Sequence, residues 1–98
     1  MNTINIRLLD IVNGTSTNVE GQILFDIISK HLQNGNLVKL SLRDLTPMST
    51  SFLNSSFGEL LQHFGYDKIK SSIVLIDYRI SDALRIKDYL NVVNDMHV

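Results

Sequence analysis

Strands and helices alternate along this chain, which predicts an α/β fold of order β-α-β-α-β-α with a mostly parallel central sheet and helices packed on it. Three observations carry this. Short apolar segments with strand patterns lie near residues 3–9, 37–42 and 71–77. Longer segments between and after them repeat their apolar residues every three or four positions. Each of the two intervening helices is long enough to be the crossover that parallel neighbours require.

The first strand is expected from Thr3 to Leu9, where Ile4, Ile6 and Leu8 alternate with Asn5 and Arg7. A turn through VNGTST follows. Thr17 and Glu20 have the spacing of a capping box, in which hydroxyl and carboxylate each take the other residue's amide. The first helix therefore spans Asn18 to Gln33, with Val19, Ile23, Leu24, Ile27, Ile28 and Leu32 on its apolar side, and NGN at 34–36 ends it.

LVKLSL, Leu37 to Leu42, is too apolar for strict alternation and reads as a well-buried strand, central in its sheet. Pro47 has no amide donor and biases Thr46 away from helical geometry, so RDLTP is a break. In the Ser-rich stretch that follows, Leu53, Phe57, Leu60, Leu61 and Phe64 fall on one helical stripe, and Gly65 stands where a C-terminal αL residue is expected. A second capping-box spacing, Ser56 to Glu59, offers a later start. Leu53 already obeys the stripe, so the helix begins before it and Ser55 and Ser56 lie inside its first turns.

The third strand is expected over Ser71 to Asp77, with Ile73 to Ile76 as its apolar part. With Ser81 as cap, Ala83, Ile86, Leu90 and Val93 form the seam of a last helix ending near Asn94.

With 98 residues, 44% hydrophobic and 19% charged, the composition is that of one globular domain over residues 1–98. Nine basic and ten acidic side chains leave a net charge of -1, and the basic pairs Lys68/Lys70 and Arg85/Lys87 are too sparse to track a phosphate backbone, so no nucleic-acid partner is expected. The absence of cysteine excludes disulfides, a thiol nucleophile and cysteine-ligated zinc. No signal-peptide pattern and no apolar run of membrane-spanning length occurs, which leads to the expectation of a cytoplasmic protein without a membrane partner.

Catalytic signatures are missing. There is no Walker A sequence, no dinucleotide-binding glycine turn and no nucleophile elbow. Of the three histidines, only His63 has a potential co-ligand at helical spacing, Glu59, and His31 and His63 are expected beside helix C-terminal carbonyls. No metal, no cofactor and no enzymatic activity is expected. Asp44 and Asp77 are the two carboxylates placed to converge at the C-terminal edge of the sheet, and they read first as turn residues.

The remaining chemical feature is the hydroxyl cluster Ser49, Thr50 and Ser51, between a buried strand and a helix. Hydroxyls there serve as N-caps. An exposed one is also well placed to carry or bind a phosphate.

The segment LVKLSLRDLTPMSTSFLNSSFGELLQHFG resembles the strand-loop-helix core of STAS-like domains, and most closely a small bacterial family of STAS-like proteins of unknown function. That family's core carries Thr-x-Ser-Phe-x-x-x-x-x-Gly-x-Leu; here Ser51, Phe52, Gly58 and Leu60 match, and Ser49 stands in for the Thr. TSTNVEGQILFDII is similar to the start of the family's first helix, with Gly21 at its small position. The distantly similar anti-sigma factor antagonists carry Asp-Ser-Ser-Gly-Leu at the start of their second helix. Laid onto Ser49 to Leu53, that motif makes Thr50 the phosphoacceptor candidate, with Ser49 and Ser51 beside it; Ser49 replaces the acid, Thr50 the serine and Phe52 the glycine.

The resemblance implies a regulatory or protein-interaction module with a STAS-like fold. Its control would be phosphorylation at the start of helix two by a histidine-kinase-like ATPase partner, with Thr50, Asn54, Ser55 and Gln62 as partner-facing polar contacts. The alternative is a small nucleotide- or phosphate-ligand-binding domain using the same helix start. A homodimer built on the Ala83 to Val93 seam is a further expectation.

Overall fold

The computed structural model describes residues 2–96. Its elements are β1 (Thr3–Arg7), α1 (Leu8–Ile11), α2 (Asn18–Gln33), β2 (Leu37–Ser41), α3 (Thr50–Leu53), a π-helical turn (Asn54–Gly58), α4 (Glu59–Phe64), α5 (Tyr66–Ser72), β3 (Ile73–Ile76) and α6 (Ile80–Met96). The sheet has three strands in the order β1-β2-β3, and both pairings are parallel. β2 is central, as its composition predicts.

Register explains which residues point where. Ile4, Val38 and Ile73 form one row across the sheet, and Ile6, Leu40 and Leu75 another; all of these except the half-buried Ile4 belong to the core or pack against it. Between them the row Asn5, Lys39 and Val74 is exposed. Two successive right-handed crossovers moving the same way across a sheet put their helices on one side. The other face therefore carries mainly polar side chains, and of LVKLSL it exposes Lys39, leaves Leu37 half-buried and buries Ser41.

Both predicted helix boundaries of α2 are present. Thr17 Oγ1 accepts from the Glu20 amide at 3.2 Å, and Glu20 Oε1 accepts from the Thr17 amide at 3.1 Å. At the other end Gly35 adopts φ +74°, its amide reaches Leu32 O and the Asn36 amide reaches His31 O, which closes a Schellman motif.

Elsewhere boundaries move. β1 stops at Arg7, and a short helical turn carries Leu8 to full burial, where a strand running to Leu9 had been expected. β3 is confined to Ile73–Ile76, because Ser71 and Ser72 belong to α5, a seven-residue helix with Ile69 and Ser72 as its buried residues and too short to show a periodic stripe. α6 starts at Ile80, with the Arg79 carbonyl accepting from Asp82 and Ala83; Ser81 thus lies within the first turn and is not the cap.

The second helix runs from Thr50 to Phe64 but widens in the middle. Across the π-helical turn, i→i+5 bonding brings residues five apart onto one side. Phe52 and Phe57 are accordingly both in the core, at 0% and 1% exposure, although a regular 3.6-residue stripe contains only Phe57. The hydroxyls of Ser55 and Ser56 donate to the Phe52 carbonyl at 3.3 and 2.6 Å, the side-chain insertion that bends and widens helices. This turn packs directly on α2.

Candidate functional site

The connection from β2 to α3 leaves the C-terminal edge of the sheet, where open α/β folds place their sites. Its backbone is held by side chains from three directions. Arg79 donates to Leu45 O at 2.7 Å, Thr15 Oγ1 donates to Thr46 O at 3.0 Å with Pro47 O at 3.3 Å, and Arg85 donates to Met48 O at 3.3 Å. The Ser49 amide in turn donates to Thr15 O at 2.9 Å. Four successive carbonyls, Leu45 to Met48, are thus matched to donors, which fixes the loop that delivers the hydroxyl cluster.

The three hydroxyls differ in what they are free to do. Ser49 is the N-cap of α3: its Oγ accepts from the Phe52 amide at 3.0 Å and donates to Ser16 O at 2.9 Å. Both roles of that hydroxyl are taken. Thr50 and Ser51 are exposed in the first turn of α3, and Arg85 Nη2 lies 3.5 Å from Thr50 Oγ1. A guanidinium therefore stands beside the one hydroxyl of the three that it contacts.

The remaining polar positions do not form one patch. Asn54 is exposed one turn after Thr50 and accepts from the Tyr89 hydroxyl at 2.6 Å. Ser55 is half-buried against Gly21 of α2 and donates to Ser51 O at 3.0 Å. Gln62 is exposed on α4, roughly 18 Å along the helix from Thr50 at 1.5 Å per residue. Burial of Tyr89, and secondarily the negative charge of Glu59, push its phenol pKa up.

At the sheet edge, Asp44 and Asp77 both have positive φ, 63° and 53°, as turn carboxylates do. Each has its own cation: Arg7 pairs with Asp44 at 3.1 Å, and Arg43 lies 3.7 Å from Asp77, which also accepts from Ser41 Oγ at 2.7 Å. Both ion pairs are solvent-exposed, so each is worth about 0–1 kcal/mol. His63 Nδ1 lies 2.8 Å from Glu59 O, a carbonyl of its own helix, and its ring packs on Phe25. His31 is in the last turn of α2, and His97 lies outside the described residues. Among the described residues no group of three His, Cys, Asp or Glu is arranged to hold a metal ion.

A family described as a STAS-like domain of unknown function matches residues 20–79, well over half of the chain. The chain belongs to this family. No curated protein and no solved structure matches it. Within this STAS-like domain the matched span runs from the first turn of α2 to the residue before α6, and it contains Gly21, the hydroxyl cluster, the π-helical turn and β3.

Four residues that shape the site carry no motif or periodic signal in the sequence: Thr15, Arg79, Arg85 and Tyr89. Three of them lie outside the matched span. Thr15 lies in the predicted VNGTST turn, yet it is 0% exposed and joins two loops. In the sequence Arg85 stands out only as half of the sparse basic pair Arg85/Lys87. Its partner is a backbone carbonyl in a distant loop, a signal that spacing along one helix does not contain. No helix of the described residues is long and apolar enough to cross a membrane.

Proposed function

We propose that this STAS-like domain is a non-enzymatic regulatory module whose partner-facing surface is centred on the start of α3, and that phosphorylation of Thr50 switches it. The observation that carries the reading is the division of labour among the hydroxyls. Ser49 is consumed by capping, whereas Thr50 is exposed beside the Arg85 guanidinium. A phosphate on Thr50 would add about −1.5 to −2 charge within reach of that guanidinium and form new charge-assisted bonds there. Arg85 would then shift from Met48 O toward the phosphate, which links modification to the loop conformation.

The resemblance to anti-sigma factor antagonists supplies the class of partner, a histidine-kinase-like ATPase acting as the kinase. Of the other polar positions, Asn54 and Gln62 face solvent and suit a partner, while Ser55 supports the contact of the π-helical turn with α2. A bacterial source follows from the resemblance, and a cytoplasmic setting fits the absence of cysteine.

The test is affinity capture from the source cells with two baits. Thr50→Val should recover a histidine-kinase-like ATPase, and Thr50→Glu should recover it much less. Recovery of no such ATPase by either bait, or equal recovery by both, contradicts the proposal.

A further inference from the structure

A second surface shares α6 with the hydroxyl cluster but none of that cluster's residues lines it. Between α5 and α6, beside β3, there is a cleft of about 450 Å³. Phe57, Leu75 and Ile86 are among the apolar residues lining it, Tyr66 and Ile69 come from α5, and Ala83 and Leu84 from α6. β3 is an edge strand of the sheet, yet its sequence, IVLI, is the uninterrupted apolar run of a strand with neighbours on all sides.

Two features limit what fits. The charged residues lining the cleft are Lys70, on α5, and Lys87, on α6, so each helical wall contributes one cation and neither contributes a carboxylate. The apolar surface also continues onto the rim, where Ile80 is 74% exposed and Tyr78 and Leu84 are each 50% exposed. Side chains that size, left in water next to an apolar cleft, mark a contact surface.

We propose that this groove docks an amphipathic helix from a protein partner, its apolar ridge between α5 and α6 and acidic residues on its flanks facing Lys70 and Lys87. α5 is seven residues, roughly 10 Å, which matches two turns of a docked helix. A second copy of the chain fits less well, because a two-fold contact sets groove against groove and brings each lysine pair against its own image. An acyl chain fits less well too, since it offers nothing to pair with Lys70 and Lys87 along both walls.

The test is selection of random peptides displayed on phage against the whole chain, followed by anisotropy titration of the synthesised winners. The proposal expects winners with apolar residues at helical spacing and flanking Asp or Glu. Their affinity should fall about tenfold or more for Lys70→Glu/Lys87→Glu and for Leu84→Ser, and weaken with salt. All three substituted side chains are at the cleft surface, and an unchanged circular dichroism melt shows that the variants fold. The charge-reversed protein should in turn select Lys-flanked peptides. Winners without acidic enrichment, binding indifferent to these substitutions, displacement of every winner by laurate, or a dimer in sedimentation that Leu84→Ser dissolves would each overturn it.

Discussion

Gly21 of α2 faces Ser55 of the π-helical turn with no room between them for a methyl group: a Cβ on Gly21 would overlap Ser55 Oγ and stand 2.6 Å from Phe52 O. The two helices meet through backbone at this point. The match to a small residue near the start of the first helix thus has a steric reason, close approach, and not a need for unusual dihedral angles.

Gly21→Ala is therefore expected to destabilise the fold. Overpacking costs about 1–3 kcal/mol, and against it alanine gains up to about 1 kcal/mol in helix propensity. Adding Ser55→Ala should recover only part of the loss, since the Phe52 carbonyl remains in the way. Urea unfolding of the two variants checks both statements.

The capping and exposed hydroxyls should separate in the same experiment. Ser49→Ala removes the N-cap acceptor and the bond to Ser16 O and should cost about 1 kcal/mol. Thr50→Val removes an exposed hydroxyl and should stay within about 0.5 kcal/mol of the parent. Equal losses would mean that Thr50 is structural.

Thr15→Val keeps shape but leaves the carbonyls of Thr46 and Pro47 without their donor. The expected loss is about 1–3 kcal/mol, and Thr15→Ser should restore much of it. Faster amide exchange in residues 45–50 of the Val variant would confirm that Thr15 holds the loop that delivers the hydroxyl cluster.

Tyr89 gives a pH dependence. Its folded pKa lies above the usual 10.0, so the unfolded chain loses the phenol proton first as pH rises. The stability that this group contributes is complete below pH 10 and falls away as pH passes through 10 toward the folded value. Denaturation midpoints measured from pH 9 to 11 should decline more steeply in the parent than in Tyr89→Phe, and identical slopes would contradict the assignment.

Much of the fold was legible because its signals are local. The capping box at Thr17 and Glu20, the αL glycine at 35 and the apolar run of β2 each act within a few residues, and α2 and the central place of β2 follow from them. What was not legible depends on contacts distant in sequence. α5 has too few residues to display a period, and Leu8 is drawn into a helical turn by core packing. Phe52 becomes a core residue only because a π-helical turn resets the phase of its helix, and that turn accompanies the packing against Gly21. In the site, the motif pointed to Ser49, Thr50 and Ser51 as a group. Distinguishing them required knowing that Ser16 O and Arg85, 33 and 35 residues away in sequence, are their neighbours.

The account rests most heavily on Thr50 as the modified hydroxyl, and intact-mass spectrometry with fragmentation, on protein recovered from its native cells across growth phases, tests it directly. It predicts a fraction of the parent chains carrying one added phosphate located on Thr50, and no such fraction in Thr50→Val. A chain that carries no phosphate in any phase, or carries it on Ser49 or another residue, would contradict it.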